Sequence, residues 1–141
     1  MTDPVLDAPF DELSPRTLHD LLRLRVDVFV VEQECAYPEI DGRDVEATHL
    51  WVERDGEVAA TARLLDDGAE RRIGRVATHP GHRGDGLAAA LVAAAIDRSD
   101  GPWVLDAQAH LSDWYGRFGF APESEEFLED GIPHVTMRKT A

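Results

Sequence analysis

The sequence contains one cysteine and no long hydrophobic run, and each shortage excludes a class of protein. Cys35 is the only thiol in 141 residues, so the chain can form neither an internal disulfide nor a cysteine-rich zinc module. No segment approaches the roughly 18 consecutive apolar residues of a membrane-spanning helix. The N-terminal stretch MTDPVLDAPFDEL lacks the basic and apolar regions of a signal peptide. Together these shortages predict a cytoplasmic protein that does not enter a membrane.

Positive charge is also scarce. The 14 basic residues, of which only Lys139 is a lysine, are outnumbered by 28 acidic ones, and the net charge is −14. Such a chain would repel a phosphate backbone, so we do not expect it to bind nucleic acid. The acidity has two interpretations: it attracts cationic substrates such as amines, or it is the solvated surface of a protein from a salt-adapted or GC-rich organism. The second is the simpler one. The six histidines lack the spacing of a metal site, so no metal is predicted.

Hydrophobic periodicity and turn signals predict one domain, residues 1–141, in which helices and strands are mixed. Ser14 and Pro15 begin a helix that runs to about Phe29, because serine caps free amides and proline suits the first helical turn. A long polar loop, EQECAYPEIDGRDVEA, follows it. Strands are predicted near residues 5–10, 49–53, 57–65, 72–78, 103–108, 120 and 134–138, with further helices over about 84–98 and 109–118. This order is typical of an α+β or mixed α/β sandwich.

Residues 74–95, GRVATHPGHRGDGLAAALVAAA, run from a strand through a glycine-rich turn into an alanine-rich helix. Gly84 and Gly86 let the backbone approach a ligand, and the free amides of the next helical turn would face the same point. Between Arg71 and Arg83 there are four arginines, two histidines and no acidic residue. A basic stretch beside free amides predicts a site for an anion such as phosphate. The alternative is an arginine-rich strand face followed by an ordinary glycine turn.

The turn Arg83-Gly84-Asp85-Gly86-Leu87-Ala88 resembles the R-x-x-G-x-G/A signature of the GNAT acyl-CoA N-acyltransferases, whose loop amides grip the coenzyme A pyrophosphate. As in that family, a strand ending in Val76-Ala77-Thr78-His79-Pro80 precedes the turn and a helix follows it. Further on, Trp114-Tyr115-Gly116-Arg117-Phe118-Gly119-Phe120 resembles the F-Y-x-x-x-G-F segment of the family. The strand between, ending at Gln108, resembles the one that splays away to admit the pantetheine arm.

Further segments resemble the ElaA-type branch of the GNAT proteins. They are residues 24–35 (LRVDVFVVEQEC), 39–42 (EIDG), Asp44, 48–50 (THL) and 127–134 (FLEDGIPH). The resemblance therefore covers nearly the whole chain. Two residues depart from it: Ala36 stands where the branch usually has proline, and Gln108 where many members have asparagine.

The resemblance implies a GNAT-like fold, in which helices flank a twisted, mostly antiparallel sheet that is splayed at the acyl-CoA site. Acetyl-CoA is the implied co-substrate. Its implied contacts are Val76, Ala77, Thr78, Arg83, Gly84, Asp85, Gly86, Leu87, Ala88, Gln108 and Tyr115. Transfer would be direct, within a ternary complex with the acceptor, rather than through an acyl-enzyme at Cys35.

Acyl transfer from a thioester to an amine needs a polarised carbonyl, a proton for the leaving thiolate and a base for the amine. Backbone amides over residues 76–78 are the candidates for the carbonyl. Tyr115, which matches the family tyrosine, is the candidate general acid. His49 and His134 are the candidate bases, since each lies near the start of a strand and an imidazole can relay a proton near neutral pH. A structural role is the alternative for each of these histidines.

The expected acceptor is a primary amine of a small molecule or a peptide. Carboxylates that could line a pocket for a cationic amine are Glu32, Glu34, Asp41, Asp44, Glu129 and Asp130. A rival function is an acyl-CoA-binding sensor that keeps the predicted anion site at the glycine-rich turn and has lost catalysis. A nucleotide-binding protein is less compatible with the sequence, because it has no G-x-x-x-x-G-K-[ST] run. Antiparallel sheet edges leave a homodimer open.

Overall fold

In the part of the chain that the structure describes, eight strands form one mixed sheet, and the order of the strands places an opening near its middle. The structure, a computed structural model, describes residues 3–140. The strands are β1 (Leu6–Pro9), β2 (Thr48–Arg54), β3 (Glu57–Asp66), β4 (Arg71–Thr78), β5 (Trp103–Gln108), β6 (Ala121–Pro122), β7 (Phe127–Glu129) and β8 (Ile132–Lys139). Across the sheet the strands follow the order β1-β2-β3-β4-β5-β8-β6, with β7 also paired to β8.

Within residues 3–140, three α-helices and several short helical turns connect these strands. The α-helices are α1 (Pro15–Val26), α2 (Leu87–Asp97) and α3 (Ser112–Gly116), and a π-helix over Asp27–Glu32 continues α1. Single 3₁₀ turns lie at Phe10–Glu12, Asp44–Glu46, Pro80–His82 and Ala109–Leu111. None of the helices in the described part of the chain has the length and hydrophobicity that crossing a bilayer requires.

Helices α1 and α2 lie on opposite faces of the sheet. Leu50 and Val52 of β2 pack in one buried cluster with Leu91 of α2, whereas Trp51 between them packs in a second cluster with Leu21 of α1. Successive side chains of a strand point to opposite faces, so the two clusters are the two sides of one sheet. Ser14 caps α1 through its hydroxyl, which accepts a hydrogen bond from the Thr17 amide at 3.0 Å, as its sequence position predicts.

The opening lies between β4 and β5, the parallel pair of the sheet. These strands pair only at Arg71 with Trp103 and at Arg72 with Val104. Beyond these two pairs β4 and β5 separate, while β5 stays paired with β8 as far as Gln108. The result is the predicted arrangement: helices flank a mostly antiparallel sheet that splays at its centre.

A bulge interrupts β4 just beyond the point where the strands part. Thr61 of β3 pairs with Ala77 and Arg63 with Gly74, so two residues of β4, Arg75 and Val76, stand opposite one residue of β3. Arg75 has a φ of +50°, a left-handed conformation that costs an L-residue about 1–2 kcal/mol. A bulge bends the strand and leaves its extra residue out of the ladder. It therefore turns β4 backbone toward the opening.

Two elements differ from the sequence prediction. The first helix leaves regular α geometry at Val26 rather than at Phe29, and continues as a π-helix. This segment carries a run of valines, whose branched side chains crowd an α-helix. Strand β7 was not predicted as a strand, although the turn that joins it to β8, Asp130-Gly131, is an Asp-Gly hairpin signal with φ of +51° and +78°.

Candidate active site

A cleft of about 590 Å³ opens where β4 and β5 separate. Its lining comes from the bulged half of β4, the turn before α2, the start of α3, the π-helix and the hairpin of β7 and β8. All the residues predicted to contact the coenzyme line this cleft except Asp85: Val76, Ala77, Thr78, Arg83, Gly84, Gly86, Leu87, Ala88, Gln108 and Tyr115. The sheet topology thus brings segments that are forty residues apart in sequence to one cavity.

The turn before α2 has the geometry of an anion cradle. Gly84 and Gly86 have φ of +88° and +79°, and a Cβ added at either would meet nothing within 4 Å. Gly86 is the N-cap of α2 and provides no side-chain hydrogen bond to the first turn. The first amides of an 11-residue helix and its positive dipole end are therefore left to an outside acceptor.

The charged residues of this turn are paired within the chain. The Arg83 Nε donates to the Thr78 carbonyl at 3.1 Å, and its two terminal nitrogens donate to the Glu32 carboxylate at 2.7 and 2.6 Å. A residue predicted for the coenzyme and one predicted for the acceptor thus contact each other. Both side chains are 42% exposed, so the pair is weak and its partners can be exchanged. The hydrogen bonds from Arg83 hold the pKa of Glu32 below its usual value.

Asp85 points away from the cleft. Its carboxylate accepts a hydrogen bond from Arg54 at 2.6 Å, and Arg54 also donates to Asp3 at 2.7 Å. The residue before the N-cap of α2 is thereby tied to β2. The carboxylate of Asp85 thus helps to fix the turn.

Tyr115 presents a protonated hydroxyl to the cleft. Its ring is packed edge-to-face against Trp114 and Phe120, with centroid distances of 4.9 and 6.3 Å. Burial alone raises the pKa of Tyr115 to about 12, with no contribution from another side chain in residues 3–140. The phenol therefore keeps its proton at neutral pH and can donate it in a hydrogen bond to a ligand.

The hairpin of β7 and β8 brings His134, Glu129 and Asp130 into the same lining. The His134 Nδ1 lies 2.7 Å from the Ile132 carbonyl. A carbonyl can only accept a hydrogen bond, so Nδ1 carries the proton and neutral His134 keeps its lone pair on Nε2. That Nε2 lies 3.7 Å from the Glu129 carboxylate, and the Phe127 ring stacks on the imidazole at 6.1 Å. The arrangement can accept a proton from an amine and stabilise the imidazolium that forms.

His49 and the acids Glu32, Glu34, Asp41 and Asp44 are not among the lining residues. His49 is 1% exposed, its Nε2 lies 2.9 Å from the Asp44 carbonyl, and burial lowers its pKa. It lies on β2, which β3 separates from the edge of the opening. The structure thus separates His49 from His134, and it gives the former the surroundings of a structural histidine.

Asp41 and Asp44 belong to a network of ion pairs that the sequence analysis missed. Asp44 accepts from Arg25 at 2.6 Å and from Arg63 at 3.2 Å. Asp41 accepts from Arg63 at 2.9 and 3.0 Å. Burial raises the pKa of Asp41, but the hydrogen bonds from Arg63 and from the Arg43 amide more than offset this and hold it at about 2. These carboxylates are neutralised within the chain.

Glu39 is the centre of the network. Its side chain is 2% exposed, and its Oε2 accepts hydrogen bonds from Arg25 at 2.8 Å and from Arg75 at 2.9 Å. Its Oε1 accepts one from the Tyr37 hydroxyl at 2.8 Å. A signal was present in the sequence: Arg25 follows Leu18 and Leu22 on the apolar face of α1, where a charge requires a buried partner.

Arg63, Arg75 and Tyr37 carry this network to the wall of the cleft, which all three line. The Arg75 guanidinium lies over the Tyr37 ring, 5.9 Å from its centroid. The Nε of Arg63 is a buried donor without a partner in the described residues. Within residues 3–140 no group of three histidine, cysteine, aspartate or glutamate side chains could hold a metal ion.

Known proteins resemble this chain in both sequence and fold. The family model for an acetyltransferase (GNAT) domain matches residues 17–141. A UPF0039 protein of Mycobacterium tuberculosis is 47% identical over 145 residues, covering 97% of this chain and 93% of its own. The ElaA protein of Escherichia coli is 40% identical over 143 residues, covering 94% of each chain.

Two solved structures superpose closely. An acyl-CoA N-acyltransferase from Pseudomonas aeruginosa has a TM-score of 0.93 at 40% identity, over 99% of this chain and 100% of its own. The crystal structure of Escherichia coli ElaA has a TM-score of 0.91 at 38% identity, over 96% of this chain and 99% of its own. Family, fold and cleft therefore agree, and the chain belongs to the GNAT N-acyltransferases, enzymes that use acyl-CoA, within their ElaA-type branch.

Proposed function

We propose that this enzyme transfers an acetyl group from acetyl-CoA to a primary amine of a small molecule or peptide, by direct attack within a ternary complex. One observation carries the proposal. A single cleft runs from the glycine cradle past the β4 bulge to Tyr115 and His134. Sites for a pyrophosphate, a thioester, a proton donor and a proton acceptor thus lie along one path.

The cradle and β4 would hold the coenzyme. The amides at the start of α2 and the backbone of Gly84 and Gly86 would bind the pyrophosphate. Arg83 would exchange the Glu32 carboxylate for phosphate oxygens, which a guanidinium can also bind in bidentate fashion. Backbone amides of the bulged segment, residues 75–78, would polarise the thioester carbonyl.

In the transfer step His134 would act on the attacking nitrogen, and Tyr115 would act on the departing sulfur. His134 Nε2 takes a proton from the acceptor ammonium, and the freed amine nitrogen attacks the thioester carbonyl carbon. The C–S bond breaks, the nitrogen releases its second proton to solvent as the amide forms, and the departing thiolate takes one proton from solvent. His134 returns the proton it took to solvent, so one proton is released in each turnover. The products are an N-acetyl amide and free coenzyme A.

The pKa of Tyr115 defines how it would assist. At about 12 it lies above the value of roughly 8.5 for a free thiol, so full proton transfer to the thiolate is uphill. Tyr115 would therefore act mainly through a hydrogen bond that strengthens as negative charge grows on sulfur. Solvent can then supply the proton that the thiol finally carries.

The acceptor would approach from the hairpin side, where Glu129 and Asp130 line the cleft. Glu32, Asp41 and Asp44 are held by arginines of the chain, and Glu34 is exposed on the loop. Recognition of a cationic amine thus rests on the two hairpin carboxylates beside His134.

Polyamines and basic peptides should outcompete neutral amino acids in an acceptor screen, and the opposite ranking would contradict this assignment.

Titration calorimetry with acetyl-CoA, followed by a free-thiol assay over an amine panel, tests the proposal. We expect micromolar binding, its loss by about 100-fold in Arg83→Glu, and thiol release that depends on an amine. Arg98→Glu is the matched control, because it makes the same charge change at an exposed arginine outside the cleft. Binding without turnover over the whole panel would favour the acyl-CoA sensor instead.

Tyr115→Phe separates chemistry from binding. The substitution keeps the packed ring and removes the hydroxyl, so kcat should fall by about 10- to 100-fold. The dissociation constant for acetyl-CoA should change by less than about threefold. An unchanged kcat would remove Tyr115 from the mechanism.

A further inference from the structure

We propose that Arg75 and Glu39 are positioning residues, which hold the β4 bulge in the shape that acyl transfer needs. The proposal rests on the function above, because it concerns the backbone proposed to polarise the thioester. It assigns a task to the ion pair between the partly exposed Arg75 and the buried Glu39.

The bulge needs something to hold it. Its first residue, Arg75, has a φ of +50°, and a conformation of this kind persists only where the surroundings enforce it. Glycine would adopt it without strain, yet the chain carries an arginine. An interaction of the arginine side chain must therefore offset the backbone strain.

The side chain of Arg75 has such an interaction. Its Nε donates to the Glu39 Oε2 at 2.9 Å, and its guanidinium lies over the Tyr37 ring. Glu39 is fixed in turn by Arg25, at 2.8 Å from the same oxygen, and by the Tyr37 hydroxyl. A carboxylate with 2% exposure and three donors cannot swing away.

The contacts of Arg75 with Glu39 and Tyr37 form a clamp, which connects the long acidic loop to the reacting end of the cleft. Glu39 and Tyr37 belong to the loop, Arg25 belongs to α1, and Arg75 belongs to the strand that borders the opening. The loop is thus more than a wall for the acceptor. Through Glu39 it sets the direction of the backbone amides that follow Arg75.

Comparing alanine with glycine at position 75 tests the proposal. Arg75→Ala removes the clamp and keeps the strain, whereas Arg75→Gly removes both. If the clamp holds the bulge, kcat falls by about tenfold or more in Arg75→Ala and recovers to within about threefold of the wild type in Arg75→Gly. The KM for acetyl-CoA stays within about twofold in both variants. Equal losses would mean that Arg75 contacts a substrate or only stabilises the fold, and would overturn the proposal.

A second measurement keeps the test independent of turnover. In urea, Arg75→Gly should unfold at a higher concentration than Arg75→Ala, because only alanine retains the strained φ. Arg72 is the matched control: it lies on the same strand with ordinary pairing, so there glycine should be less stable than alanine. The same order at both positions would mean that position 75 carries no backbone strain for the clamp to offset, and would overturn the proposal.

Glu39→Gln tests whether Glu39 and Arg75 act through the same interaction. It should lower kcat in the wild-type background and change it by less than about twofold in the Arg75→Gly background, since the bulge no longer depends on the clamp there. Equal losses in both backgrounds would show that Glu39 acts independently of Arg75. If the wild type binds acetyl-CoA and never turns over, the proposed function fails, while the urea comparison still decides whether position 75 carries the backbone strain that the clamp is proposed to offset.

Discussion

Two arginine–carboxylate clusters each contribute arginines to the lining of the cleft, and they differ in burial. Around Glu39 the side chains of Arg25 and Glu39 are 1% and 2% exposed. At the cradle, Arg83 and Glu32 are both 42% exposed. The shortest hydrogen bond between arginine and carboxylate is 2.6 Å in each cluster. Similar geometry can therefore serve structure in one place and ligand exchange in the other.

The difference follows from solvation. Water can solvate either partner of an exposed pair, so exchanging the pair for a phosphate costs little. A buried pair has no such substitute, and loss of one partner leaves the other charge in a medium of low polarity. The buried cluster is thus expected to fix the loop, and the exposed pair to yield to the coenzyme.

The largest effect should come from breaking the buried cluster. Arg25→Met leaves Glu39 and Asp44 without their shared partner, and we expect a loss of about 3–5 kcal/mol in the free energy of unfolding. Arg43→Met is the matched control, since Arg43 pairs with Glu46 and has a 39% exposed side chain. It should cost less than about 1 kcal/mol. Equal losses in urea titrations would mean that burial does not separate the two clusters.

A smaller effect on the free energy of unfolding should appear at acidic pH. Asp41 has its pKa lowered from 3.8 to about 2 in the folded chain, so the unfolded chain binds more protons between these values. The stability it contributes is present above pH 3.8 and is lost as the pH falls toward 2. The shift corresponds to about 2 kcal/mol at pH 7 and about half of that at pH 3.

Asp41→Asn checks this contribution. The wild type should exceed the variant in unfolding free energy by about 2 kcal/mol at pH 7, and the gap should narrow at pH 3. Asp100→Asn, at an exposed residue of the loop before β5, should change stability by less than about 0.5 kcal/mol at pH 7. A gap that is constant with pH would show that hydrogen-bond geometry, and not charge, provides the stability of the pair.

The cradle was predictable because its features are local. Glycines, a following helix and a basic stretch lie within 25 residues of each other, and Gly84 and Gly86 take the positive φ that their residue type permits. The hairpin turn at Asp55-Gly56 was predictable for the same reason. Local rules of backbone geometry suffice for such elements.

The buried cluster was not predictable, since its partners are far apart in the chain. Arg75 and Glu39 are separated by 36 residues, and no local pattern says which arginine neutralises which acid. The sequence analysis therefore left Asp41 and Asp44 free for an acceptor, and it could not distinguish buried His49 from His134 at the cleft. Pairing of charges over long range is decided by the packing of the whole sheet.

The smallest effect should come from the exposed pair, and its sign is informative. Glu32 occupies the Arg83 guanidinium that the coenzyme would need, so Glu32→Gln should tighten acetyl-CoA binding by up to about fivefold at low salt. The gain should shrink in molar salt, because both contacts are screened. Glu46→Gln, which removes an exposed carboxylate paired with Arg43 away from the cleft, corrects for the change in net charge. Weaker binding in Glu32→Gln would mean that Glu32 aims Arg83 at the phosphate, and the exposed pair would then be as fixed in function as the buried one.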